Sequence, residues 1–139
     1  MSRITTGYTG HLFEREVLGE CRAAARGHMG YREAAELVRK SQPTKKTSTA
    51  TRLEAEVGKR LGGAVKFFTA VGSAMDLFHG TDGFFQFEGF IVTIDVTMNP
   101  NKDSGKADVI ICEDDLVDLT ALAGRIAREF TTKQRRAQW

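Results

Sequence analysis

Residues 83–97, GFFQFEGFIVTIDVT, constrain the fold of this chain more than any other stretch. Two runs rich in aromatic and β-branched residues, 83–88 and 90–97, are separated only by Gly89, the pattern of a tight hairpin. Along the second run Ile91, Thr93, Asp95 and Thr97 fall on one face, and Val92, Ile94 and Val96 on the other. Phe90, Ile91, Val92 and Ile94 mark a strand buried over most of its surface. An aspartate inside such a strand is costly unless it meets solvent, a partner or a metal. Asp95 is therefore the most informative residue of the chain.

Asp82 precedes the first of these runs, after Gly80-Thr81. A turn at Gly89 sets it opposite roughly residue 96, so the carboxylates of Asp82 and Asp95 converge. Hard oxygen ligands on a rigid strand pair suit Mg²⁺ or Mn²⁺. The plainer readings are a turn aspartate before Gly83 and a solvent-facing Asp95 on a one-sided sheet.

Helices and further strands surround the hairpin. His11 to Arg26 reads as a helix with Leu12, Val17 and Leu18 on its apolar stripe, broken by Gly27-His28-Met29-Gly30. Tyr31 to Lys40 restarts a helix that buries Ala34, Ala35, Leu37 and Val38, so residues 1–40 form an N-terminal helical hairpin. Residues 41–49, SQPTKKTST, are a linker, and a place where protomers could exchange segments. A third helix starts near Thr51, which has capping-box spacing to Glu54, carries Leu53, Val57 and Leu61 inward, and stops at Gly62-Gly63. Residues 64–71 read as a buried strand, and 72–80 as a connection with one helical turn around Met75, Leu77 and Phe78. After the polar loop 99–105 a fourth strand spans 107–112, and an amphipathic helix spans Asp114 to Phe130. Residues 50–130 form the α/β core, and 131–139 a basic tail that frays. The expected class is mixed α/β, with a central sheet of about four strands flanked by helices.

The chain's 139 residues suit a domain with a full core, and 41% hydrophobic and 27% charged residues describe an ordinary globular protein. No apolar run is long enough to span a bilayer, and the first 15 residues lack the apolar block of a secretory signal. With Cys21 and Cys112 far apart, free thiols in a reducing cytoplasm are expected. His11, His28 and His79 are scattered and fit no zinc pattern. Charge is segregated: residues 1–66 hold 13 basic and 7 acidic side chains, residues 67–118 hold 2 and 10, and residues 119–139 hold 5 and 1. An acidic centre between basic arms fits a metal site on a protein that grips a polyanion.

A helix carrying a glutamate with apolar residues three and seven positions on, a strand, an aspartate opening a second strand and an acid ending an apolar third strand together form a pattern. The layout resembles the PD-(D/E)xK nuclease superfamily. The matching residues are Glu54 with Val57 and Leu61, Asp82 in Gly80-Thr81-Asp82, and Asp95 in Val92-Thr93-Ile94-Asp95-Val96-Thr97, within residues 50–112. The resemblance implies a restriction-endonuclease-like sheet and Mg²⁺ or Mn²⁺ held by Asp82, Asp95 and Glu54, with Glu56 as the alternative to Glu54. It implies hydrolysis of phosphodiester bonds in DNA, at duplexes, branches or ends, and symmetrical cleavage of two strands would suit a homodimer. Two features depart from the superfamily. Thr97 stands where its lysine belongs, leaving Lys102 first, then Lys106, with Lys66 the outsider. No helix separates the third and fourth strands. Lys45, Lys46, Arg52, Lys133, Arg135 and Arg136 are the expected nucleic-acid contacts. The competing reading is a non-catalytic nucleic-acid-binding or assembly protein with a decayed site, which Thr97 favours. A third is a subunit that docks a protein partner and binds no nucleic acid.

Overall fold

The computed structural model describes residues 6–99 and 106–138, with side chains from residue 10 onward. The chain runs α1 (Thr6–Leu18), α2 (Tyr31–Lys40), α3 (Ser48–Leu61), β1 (Lys66–Thr69), α4 (Ala74–His79), β2 (Gly83–Phe87), β3 (Phe90–Thr97) and β4 (Val109–Cys112). A 3-10 turn, Glu113–Val117, then leads into α5 (Leu119–Ala137). The four strands form one mixed sheet in the order β1-β2-β3-β4, with the first two pairings antiparallel and β3 parallel to β4.

Helices cover both faces of this sheet, which is why its central strands are apolar on both sides. On one face Phe67, Phe85, Phe87, Val92, Ile94, Val96, Val109 and Ile111 pack with Val17 and Leu18 of α1, Leu53 and Val57 of α3, and Leu122, Ile126 and Phe130 of α5. The Phe87 and Phe130 rings meet edge to face, centroids 6.0 Å apart. On the other face Phe84, with Phe68 and Ile91, packs against Ala34, Ala35 and Val38 of α2 and Ala74 and Met75 of α4. The N-terminal helix pair is thus divided, α1 in one layer and α2 in the other. The segment 41–49 is stitched into the sheet. The Gln42 side chain donates to the Val38 and Thr69 carbonyls at 2.7 and 2.9 Å and accepts from the Thr69 N–H at 2.9 Å.

The local structure corrects several expectations. α1 stops at Leu18 rather than Arg26, because Gly19 takes φ 84° and its N–H bonds the Arg15 carbonyl. Residues beyond it are irregular and bond other segments: the N–H of Cys21 reaches the Val71 carbonyl, and that of Ala25 the Gly72 carbonyl. The cap of α3 is Thr47, not Thr51; its hydroxyl accepts from the Ala50 N–H and donates to the Val17 carbonyl. At the far end α5 begins at Leu119, capped by Asp118, and continues to Ala137 through most of the expected tail. The hairpin loop is Glu88-Gly89, both at positive φ (50° and 83°), closing a Phe87–Phe90 pair. A two-residue loop moves the register by one from the expected pairing. Gly83 faces Ile94, and just before it the Asp82 N–H also bonds the Ile94 carbonyl, which brings the Asp82 side chain to that of Asp95.

Candidate metal centre

Asp82 lies at the end of the sheet where α4 hands over to β2. Gly80, at φ 63°, ends α4 and turns the chain into Thr81 and Asp82. The backbone of Asp82 is bonded on both sides: its N–H donates to the Ile94 carbonyl (2.9 Å) and its carbonyl accepts from Ala70 (2.7 Å). The side chain is fixed as well, because Oδ2 accepts from the Val96 N–H at 2.8 Å. Gly83 allows this close packing, since a Cβ there would sit 2.7 Å from the Phe67 ring and 2.9 Å from the Phe68 carbonyl oxygen.

Three more acids surround this buried carboxyl, which is 2% exposed. Asp95, on the α2/α4 face of β3, and Asp76, from α4, both hydrogen-bond it carboxyl to carboxyl. Asp76 is itself held by the Gly72 N–H on its Oδ2 at 2.8 Å. Glu14 comes from α1, 4.0 Å from the His11 Nδ1. Burial pushes the Asp82 carboxyl up to about 11, followed by its hydrogen bonds to Asp95 and Asp76 and the charges of Asp76 and Glu14. Without a cation the cluster therefore holds a proton at neutral pH.

One oxygen each from Glu14, Asp76 and Asp82 lies within 4.8 Å of the others, and among the described residues this is the group that could share a cation. Oxygens on one Mg²⁺ sit about 4.2 Å apart or less. A rotamer-scale adjustment would close the group on an ion, and an all-oxygen donor set fits a hard divalent cation rather than zinc. In this group Glu14 stands where Glu54 was expected. The Glu54 carboxylate accepts from the Phe67 N–H at 2.7 Å and pairs with Lys46, tying α3 to β1. Glu14 satisfies the same spacing rule as Glu54, with Val17 three and Cys21 seven residues on, both buried. Two candidates fitted, and only the packing of α1 separates them. Asp76 had no such signal; it lay in a connection of undefined form.

The basic candidates divide. The Lys106 side chain runs over Gly80, its Cδ 3.3 Å from where a Cβ would be, two residues from Asp82. Thr97, at the expected lysine position, accepts from the Asn99 N–H through its hydroxyl. Lys102 lies outside the described residues. Lys46 is paired with Glu54, and the Lys133 Nζ is held at 2.7 Å by both the Ile91 carbonyl and Asp108. Lys45, Arg52, Arg135 and Arg136 are exposed. No described helix is long and apolar enough to cross a membrane. Comparison of the chain with protein families, with curated proteins and with solved structures gave no match.

Proposed function

We propose that the chain is a divalent-metal-dependent nuclease, a divergent relative of the PD-(D/E)xK enzymes, with its centre at Asp82, Asp95, Glu14 and Asp76. The observation that carries this reading is the buried Asp82 carboxyl, met by acids that α1, α4 and β3 deliver from three directions. Like charges brought together out of water oppose folding, and a bound cation offsets that cost. The sheet order supports the same reading, with an aspartate opening the second strand and another near the end of the third.

A divalent cation would be held by Glu14, Asp76 and Asp82, with Asp95 bonded to Asp82. Bound there, it supplies positive charge for a phosphodiester under attack and makes water more acidic. The chain's own part is orientation. The Val96 N–H fixes one Asp82 oxygen, and the Gly72 N–H fixes one of Asp76, so the donors are preorganised. Lys106, drawn along Gly80, brings positive charge to the edge of the centre, where a substrate backbone would pass. The basic segments either side of the acidic centre suit a polyanionic strand.

The test is cleavage of supercoiled, linear, single-stranded and branched DNA with Mg²⁺ or Mn²⁺, beside EDTA and Asp95→Ala controls. Metal-dependent cutting that the substitution abolishes is expected. Binding without cutting of any substrate would instead favour the non-catalytic reading, for which Thr97 is the supporting feature.

A further inference from the structure

A second concavity borders the acidic centre, on the sheet face that α2 and α4 cover. It is an open groove of about 600 Å³, a volume usual for small-molecule sites. Thr81 and Lys106 form its inner wall; one adjoins Asp82 in the chain and the other crosses Gly80. Its outer wall carries Tyr31, the first residue of α2, 45% exposed. That ring is braced edge-on by His79, centroids 5.6 Å apart at 85°, and a His79 ring nitrogen lies 2.7 Å from the Met29 carbonyl oxygen. An exposed, braced aromatic ring beside a charged cleft is a stacking platform in search of a planar partner.

The floor supplies positive charge in a fixed position. Asp108 Oδ2 accepts from the Thr93 N–H, the Thr93 hydroxyl and Lys133, at 2.9, 3.1 and 2.7 Å. Lys133 also donates to the Ile91 carbonyl, so two of the three ammonium hydrogens are committed and one remains for a ligand. Asp108 balances Lys133, leaving Lys106 to set the sign of the groove. A ring face and a surplus cation together match a nucleotide whose base is free to stack. In uninterrupted duplex both faces of every internal base are already stacked.

The geometry points to a subsite for one unpaired nucleotide of the substrate strand, with its base on Tyr31, its phosphate at Lys106 and the neighbouring phosphate at the acidic centre. This rests on the nuclease reading for the nature of the strand. It makes the preferred substrate a single strand, or the unpaired part of a branched molecule, rather than continuous duplex.

Fluorescence anisotropy with the full chain tests it, using a labelled 12-nucleotide single strand and the matching duplex in EDTA and again in Ca²⁺. Tyr31→Ala should weaken single-strand binding by about 5- to 100-fold and leave duplex binding unchanged, while Tyr31→Phe stays within about twofold of wild type. Lys106→Gln should weaken both and lower the salt slope by about one. Tyr31 is exposed, so circular dichroism should show both Tyr31 variants folded. Equal single-strand affinity for wild type and Tyr31→Ala, tighter binding of duplex by wild type, or no binding of either would overturn the subsite. Tyr31-dependent binding with no cleavage under any metal would sink the nuclease reading and leave the subsite standing. Metal-dependent cleavage with Tyr31→Ala binding like wild type would do the reverse.

Discussion

Replacing Asp82 by asparagine should make the metal-free protein more stable, although Asp82 is among the most buried polar residues of the fold. Asparagine has the same shape. Its carbonyl oxygen can accept from the Val96 N–H as Asp82 Oδ2 does, and its amide can donate to Asp76 and Asp95. What it removes is the cost of an acid that must keep its proton. An ordinary aspartate titrates near 3.9, so at pH 7 the unfolded chain has released a proton that the fold retains. Three pH units at about 1.4 kcal/mol each bound that cost at roughly 4 kcal/mol. Recovery of about half, ~2 kcal/mol, would raise Tm by roughly 5–8 °C in a domain of this size. The sign follows from linkage. With a folded value raised to about 11, the contribution of Asp82 is fully present below the unfolded value near 4 and is lost as pH climbs toward the folded one. Thermal melts in EDTA at pH 5.5 and 8.5 should show the wild type losing stability with pH more than Asp82→Asn does. Adding Mn²⁺ should raise the wild-type Tm and leave that of the variant almost unmoved. A variant that melts below wild type in EDTA at pH 7.5 would refute the reasoning, because Asp82 would then stabilise the fold as a carboxylate.

Other substitutions separate ligand from scaffold. Glu14→Gln should abolish the Mn²⁺-induced rise in Tm. Glu54→Ala should keep that rise while costing about 1–3 kcal/mol in urea denaturation, since the Phe67 N–H loses its acceptor; the opposite assignment of metal response would return the third ligand to Glu54. Gly83→Ala should cost about 1–3 kcal/mol by the same denaturation assay, because its methyl meets the Phe67 ring and the Phe68 carbonyl.

Strong local signals made much of the fold legible in the sequence. The span of α2 follows from Gly30 and its apolar stripe, of which Ala34, Ala35 and Val38 are buried and Leu37 is exposed, and that of β3 from β-branched alternation after Gly89. Gly62 ends α3 where its αL geometry predicts. Harder to read were features decided by distant partners. The helix expected to reach Arg26 stops at Leu18, and Cys21 beyond it is buried against distant segments, its N–H on the Val71 carbonyl and its thiol on the Ser41 carbonyl. At the site, Asp95 was visible because it interrupts an apolar strand, and Asp82 because it opens the strand paired with it across the Gly89 turn. Asp76 carries no local signal, because an aspartate in a short turn has an ordinary explanation, and the spacing that fits Glu14 fits Glu54 as well. Tertiary packing alone brings Glu14 and Asp76 to Asp82.

The most direct test is the anomalous difference density of crystals grown with Mn²⁺. A peak bonded to Glu14, Asp76 and Asp82, and lost in Asp82→Asn, is the predicted result. Carboxylates of Glu14, Asp76 and Asp82 that bond only one another at saturating Mn²⁺, with no peak among them, would contradict the metal centre.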